Sequence, residues 1–93
     1  MIRSFASKDA ETIWRGVPTR RLPLTIQLVA RRKLRMLDNA ATLNDLRAPP
    51  ANRLERLKGD RAGQYSIRIN GQWRICFRWE DGAAHDVEIV DYH

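Results

Sequence analysis

The sequence ends in Asp91-Tyr92-His93, which places a carboxylate, a phenol and an imidazole side by side. Earlier in the chain stand Lys58, Arg68 and Arg74, three cations on segments of alternating polarity. This set suits cleavage of RNA without a metal. The ribose 2′-hydroxyl is then the nucleophile, and the protein supplies a base for its proton, an acid for the leaving 5′-oxygen and positive charge for the pentacoordinate phosphate. Histidine is the natural proton carrier because its ordinary pKa lies near neutrality. Tyrosine offers a face on which a base can stack. Cys76 is the lone cysteine, and at a strand position it reads as a small packing residue rather than a nucleophile. His85 lies beside an expected turn and reads as exposed. Walker, GxGxxG and HExxH motifs and Cys/His clusters are missing from the sequence, so neither metal nor cofactor is expected.

The elements that must hold these groups follow from periodicity. Residues 1–5 alternate as a short strand. Asp9 is placed to cap a first helix that ends near Gly16, anchored by Trp14. A second helix spans roughly 23–40, with Pro23 in its first turn. Its apolar stripe is Ile26, Val29, Ala30, Leu34, Leu37, Ala40 and Ala41, with Lys33 inside the stripe, to snorkel or sit near an end of the contact, and Arg31, Arg32 and Arg35 opposite. That arginine face reads as a solvated surface, or as one that tracks phosphates or contacts a protein partner. Thr42 caps one further helical turn that Pro49-Pro50 ends.

From residue 53 the period becomes two. Residues 53–57 read as a strand and 58–63 as a loop. Three strands then follow around Asn70-Gly71 and Asp81-Gly82. A two-residue first turn would set Ile67 against Arg74, mixing faces. A three-residue loop, 70–72, pairs Ile69 with Trp73, Ile67 with Ile75 and Tyr65 with Phe77, with a bulge at Gly71 or Gln72. The same logic pairs Phe77 with Val87 and Ile75 with Ile89 across a loop of 80–84. Arg68 then faces Arg74 on the second side of the sheet, beside Val90 and Tyr92. Two opposed arginines repel, and a bound phosphate would relieve them; Asp86, Glu88 and solvent are the alternative partners.

Composition bounds the reading. Ninety-three residues, 43 % of them hydrophobic, suit one small folded domain covering 1–93. The longest apolar runs fall far short of the ~18 residues of a membrane span, and the first residues do not resemble a secretion signal. A cytoplasmic location without membrane contact is expected. Seventeen Lys and Arg against eleven Asp and Glu give a net charge of +6, which favours nucleic acid or an acidic protein as partner.

Three blocks carry a resemblance over nearly the whole chain: Asn52 through Asn70, with Leu57-Lys58-Gly59-Asp60-Arg61 at its centre; Gln72-Trp73-Arg74-Ile75-Cys76-Phe77; and the ending Val87 to His93. Together with the opening Met1-Ile2-Arg3-Ser4-Phe5, they resemble the HigB toxins, or plasmid maintenance system killer proteins, of the RelE/ParE superfamily, in a GraT-like branch. The resemblance implies an α/β (α+β) domain with an N-terminal strand and two helices on a mostly antiparallel twisted sheet. It implies a toxin that cleaves mRNA in the ribosomal A site and thereby inhibits translation. It implies neutralisation by a HigA-type helix-turn-helix antitoxin, through which alone operator DNA would be contacted. Carried over by position, Lys58 and Arg74 bind phosphate and stabilise the transition state. Asp91, Tyr92 and His93 form the C-terminal catalytic trio. Apart from the resemblance, Arg61 and Arg68 are further candidate RNA-binding cations. Where some members carry a histidine, this chain has Glu55, which either acts as a base or weakens RNA binding by its charge. A gyrase inhibitor of ParE type and a non-catalytic ribosome-binding protein of the same fold are the competing readings.

Overall fold

The computed structural model describes residues 1–91; Tyr92 and His93 lie outside the described residues. The chain forms α1 (Lys8–Trp14), α2 (Leu24–Asn39), α3 (Leu43–Arg47) and a four-stranded antiparallel sheet in the order β1-β2-β3-β4. The strands are β1 (Glu55–Arg56), β2 (Gln64–Arg68), β3 (Trp73–Glu80) and β4 (Ala83–Asp91). Residues 1–5 make isolated parallel bridges to β4, Ile2 with Ala84 and Phe5 with Val87, rather than a full strand. Helices α1 and α2 cover one face of the sheet. Ile13, Ile26, Ala30, Leu34 and Leu37 pack there against Ile67, Ile75, Phe77, Val87 and Ile89. No helix among the described residues is long and apolar enough to cross a membrane.

Local chemistry explains the helix ends. Ser7, not Asp9, caps α1: its hydroxyl accepts from the Ala10 amide, while Asp9 sits in the first turn, where a carboxylate favours the helix dipole. Ala10 and Ile13 are the buried residues of α1, and Trp14 packs at the margin with its ring 6.4 Å from that of Phe5. Pro23 is the N-cap of α2 instead of a first-turn residue. The stripe is buried from Ile26 to Ala40, save for half-buried Val29, but Ala41 is exposed because the helix has ended. Thr42 caps α3 in a reciprocal box with Asp45.

Lys33 neither snorkels nor sits at an end of the contact. It is buried and donates to Asn52 Oδ1, and Asn52 in turn donates to the Leu46 carbonyl. Burial, with repulsion from Arg32, pulls the Lys33 ammonium below the ordinary lysine range. Asn52 ends a short 3-10 turn, Pro50–Asn52, so this one amide joins α2, α3 and the entry to the sheet.

The first hairpin has the expected register: Tyr65 opposes Phe77 and Ile67 opposes Ile75. Ile69 donates to the Trp73 carbonyl, closing a loop of 70–72. The loop needs no bulge at Gly71 or Gln72, because Asn70 Oδ1 accepts from the amides of both Gln72 and Trp73 at 2.8 Å. The second hairpin differs from expectation. Glu80 pairs with Ala83, so the turn is only Asp81-Gly82, with both residues at positive φ (51° and 72°), as a type I′ turn requires. Such a turn would set the apolar residues of β4 against the wrong face. A bulge between Cys76 and Arg78 corrects this, with Asp86 at φ 53°, so Phe77 does not pair singly with Val87. Beyond it Ile75 opposes Ile89 as expected.

Asp86 is fixed by its neighbours: Arg78 Nε donates to its carboxylate at 2.7 Å and Ser4 Oγ accepts from its amide at 2.9 Å. The Arg78 hydrogen bond holds the Asp86 carboxyl below its ordinary range. A carboxyl lowered in the folded state adds stability above its unfolded pKa of roughly 4, and loses it as pH falls through the folded value. Asp86→Asn keeps a side chain that tolerates positive φ, so it should lower the urea midpoint by more at pH 7 than at pH 3. An equal loss at both pH values would show that the charge is not what matters. Asn52→Leu strands the buried Lys33 ammonium and should cost about 1–3 kcal/mol in urea unfolding, while the double change with Lys33→Met should recover most of it.

Candidate active site on the second face of the sheet

Alternation along the strands sorts the chemistry-bearing residues. Facing away from the helices are Ser66 and Arg68 of β2, Arg74 and Cys76 of β3 and Glu88 and Val90 of β4; β1 adds Glu55, which pairs with Ser66. Arg68 opposes Arg74 and Arg74 opposes Val90, as the register argument required.

This face is not the open arginine surface that alternation suggests. Arg74 is only 7 % exposed. Its Nε donates to Ser66 Oγ at 2.7 Å, and its Nη2 donates to the Arg53 carbonyl at 2.6 Å and to the Ser66 carbonyl at 3.4 Å. Its Nη1 lies 3.6 Å from the Glu55 carboxylate, which is half-exposed. The Arg53 carbonyl reaches inward because Arg53 adopts a left-handed conformation (φ 44°) at the end of the 3-10 turn. That kink also explains why the expected strand over 53–57 shrinks to Glu55–Arg56. Three acceptors and one carboxylate thus hold a guanidinium that burial would otherwise penalise.

Ser66 and the Arg53 carbonyl are the participants that sequence reading missed. Ser66 had a signal: a small hydroxyl residue at the centre of a strand, on the parity of Arg74. The Arg53 carbonyl had none, since a backbone acceptor leaves no trace in residue identity.

The remaining candidates are placed as follows. Lys58 is exposed, at the start of the 3-10 turn Gly59–Arg61 that follows β1. Arg61 Nη1 lies 2.5 Å from Glu88 and also donates to Gln64, so its charge is engaged across the face. Asp91 opposes Trp73, which puts its side chain on the parity of the apolar face rather than beside Arg74; it accepts from Gln72 Nε2 at 3.1 Å. Tyr92 and His93 lie outside the described residues. His85 is half-buried opposite Arg78. Cys76 is fully buried, and burial is the main cause that raises its thiol pKa, so it is a packing residue with little thiolate. Among the described residues, no group of three or more His, Cys, Asp or Glu converges to hold a metal ion.

The site therefore presents a fixed guanidinium, a carboxylate on its outer edge, and further cations on the flanking turn and on Arg68. Such an arrangement has the chemistry to bind a phosphodiester and to stabilise charge that builds on it.

The fold recurs among solved structures. The crystal structure of a YafQ mutant from E. coli matches 98 % of this chain and 93 % of its own, at a TM-score of 0.64 and 13 % identity. The YoeB-YefM toxin-antitoxin complex from Staphylococcus aureus contains a chain that matches over 100 % and 98 %, at a TM-score of 0.62 and 19 % identity. At sequence level, Toxin HigB-1 of Vibrio cholerae serotype O1 is 48 % identical over 85 residues, 90 % of each chain. Endoribonuclease HigB of Proteus vulgaris is 31 % identical over 93 residues, the whole of both chains. A family model described as the RelE-like toxin of type II toxin-antitoxin system HigB matches residues 3–93, and the chain belongs to this HigB-like toxin family.

Proposed function

We propose that residues 1–93 act as one toxin domain that cleaves mRNA in the ribosomal A site of the cytoplasm, and that a HigA-type antitoxin neutralises it and carries any contact with operator DNA. The observation that supports this best is the buried Arg74, held from behind by Ser66 and Arg53 with its outer nitrogen beside Glu55. The naming of a full-length relative as an endoribonuclease supports the same reading.

In this mechanism Arg74 binds the scissile phosphate, with Lys58 and Arg68 drawing the RNA backbone toward it. Arg61 acts at one remove, by neutralising Glu88. The Glu55 carboxylate takes the proton of the 2′-hydroxyl. The freed oxygen attacks phosphorus, and charge on the pentacoordinate phosphate falls against the Arg74 guanidinium. The P–O5′ bond then breaks, and His93 gives its proton to the leaving oxygen, which leaves a 2′,3′-cyclic phosphate. Tyr92 stacks on a base, and Asp91 orients the chain end. The ribosome presents the RNA, so the protein needs no deep substrate cleft of its own.

Primer extension on a defined mRNA, with and without ribosomes, tests the reading. Cuts should appear only with ribosomes. Cuts on naked RNA would mean a free ribonuclease. Intact mRNA together with DNA damage would turn the assignment to gyrase inhibition. Arg74→Ala should lower the cleavage rate about 100-fold or more, and Ser66→Ala by less, since it loosens the arginine without removing it. Glu55→Gln should lower the rate about 100-fold. A faster Glu55→Gln variant would make Glu55 an electrostatic shield over Arg74 and move the base to the chain end.

A further inference from the structure

Much of the net charge lies away from the site. Between residues 12 and 37 there are seven basic residues and no acidic one, whereas the rest of the chain holds ten basic and eleven acidic residues. This segment spans the end of α1, the linker and most of α2, on the helical side of the sheet and away from Arg74.

The same segment carries three of the largest exposed apolar side chains. Leu24 is 75 % exposed, Leu28 83 % and Val17 52 %. Leu24 and Leu28 stand one helical turn apart and flank a groove of about 230 Å³, whose other walls include Ile13, Gly16, Val17 and Arg31. A second depression shares Pro18 and Leu24 with it, so the groove runs on past Thr19 and Arg20. The Arg31 guanidinium folds over Gly16, close enough that a Cβ there would meet it at 2.9 Å. Its Nε is buried without a hydrogen-bond partner among the described residues. α2 itself begins at Pro23 with no side-chain cap and no acidic residue in its first turn, so the positive end of its dipole adds to the field.

We propose that this groove seats an acidic, amphipathic helical segment of the antitoxin, with apolar side chains between Leu24 and Leu28 and carboxylates on the surrounding arginines. The proposal rests on the toxin reading above only for the identity of the partner. Charge complementarity selects an acidic occupant. The aliphatic walls select a protein over RNA, because no aromatic side chain among the described residues lines the groove for a base to stack on. A second copy of this chain is disfavoured, since a two-fold contact would press like charges together. Apolar anchors at i and i+4 spacing are the geometry in which a helix reads a groove.

The test uses the full chain and the full-length antitoxin encoded with it. Leu24→Asp/Leu28→Asp changes two exposed residues remote from Arg74, so growth inhibition without antitoxin should match the parent. Antitoxin affinity by titration calorimetry should fall about 100-fold or more, and co-expression should no longer rescue growth. Leu28→Met should bind as the parent does, and parental affinity should weaken with added salt. An affinity for the double variant within about two-fold of the parent overturns the proposal. So does a free chain that sediments as a dimer through these leucines, or a variant that loses ribosome binding while keeping the antitoxin. Failure of the parent to inhibit growth would count against the toxin reading alone, because the binding isotherm still decides where the antitoxin docks.

Discussion

A guanidinium inside a small protein must have its donors satisfied, and the sheet is arranged around that requirement at Arg74. Its Nε and Nη2 are taken by Ser66 and by the Arg53 carbonyl, which leaves Nη1 as the edge that faces Glu55. Ser66 must be small and polar to lie under the arginine, and Arg53 must leave the extended conformation to turn its carbonyl inward. The chain between the helices and β2 is therefore a kinked strap rather than a long strand. A side chain fixed this way loses little entropy on meeting a phosphate, which is how a 93-residue protein can preorganise charge without a deep cleft.

The second constraint is the parity of β4. An Asp-Gly turn favours a two-residue loop, and that loop conflicts with the alternation of Val87 and Ile89. The bulge at Asp86 reconciles the two demands, with Ser4 and Arg78 bracing the strained residue. The opening segment is held by the same braces, through Ser4 and through the backbone bonds to Ala84 and Val87. The opening of the chain is thus tied to the strand that leads to Asp91.

Charge is divided between the two sides of the sheet. The helical side holds most of the excess cations, although Arg15 pairs with Glu11 and Lys33 is turned onto Asn52. On the other side Glu55, Asp60 and Glu88 sit among the arginines and lysine, and Arg61 is already neutralised by Glu88. The cations of the site side are thus only partly compensated, whereas residues 12–37 on the helical side carry seven basic residues and no acidic one. The high net charge read from composition as a nucleic-acid signal thus belongs mainly to the face away from the site.

Periodicity and residue identity were enough to specify the strand register of the first hairpin, the second helix and its stripe, the pairing of Arg68 with Arg74 and the family motifs. Local sterics and burial translate such patterns directly into structure. Other features emerged only on packing: Arg74 is buried, the Arg53 carbonyl holds it, Lys33 finds Asn52, and a bulge accompanies the shortened second loop. Each of these depends on a backbone group or on a partner distant in the chain. Such contacts form only when separately specified elements are packed together, and no local pattern of side chains records them.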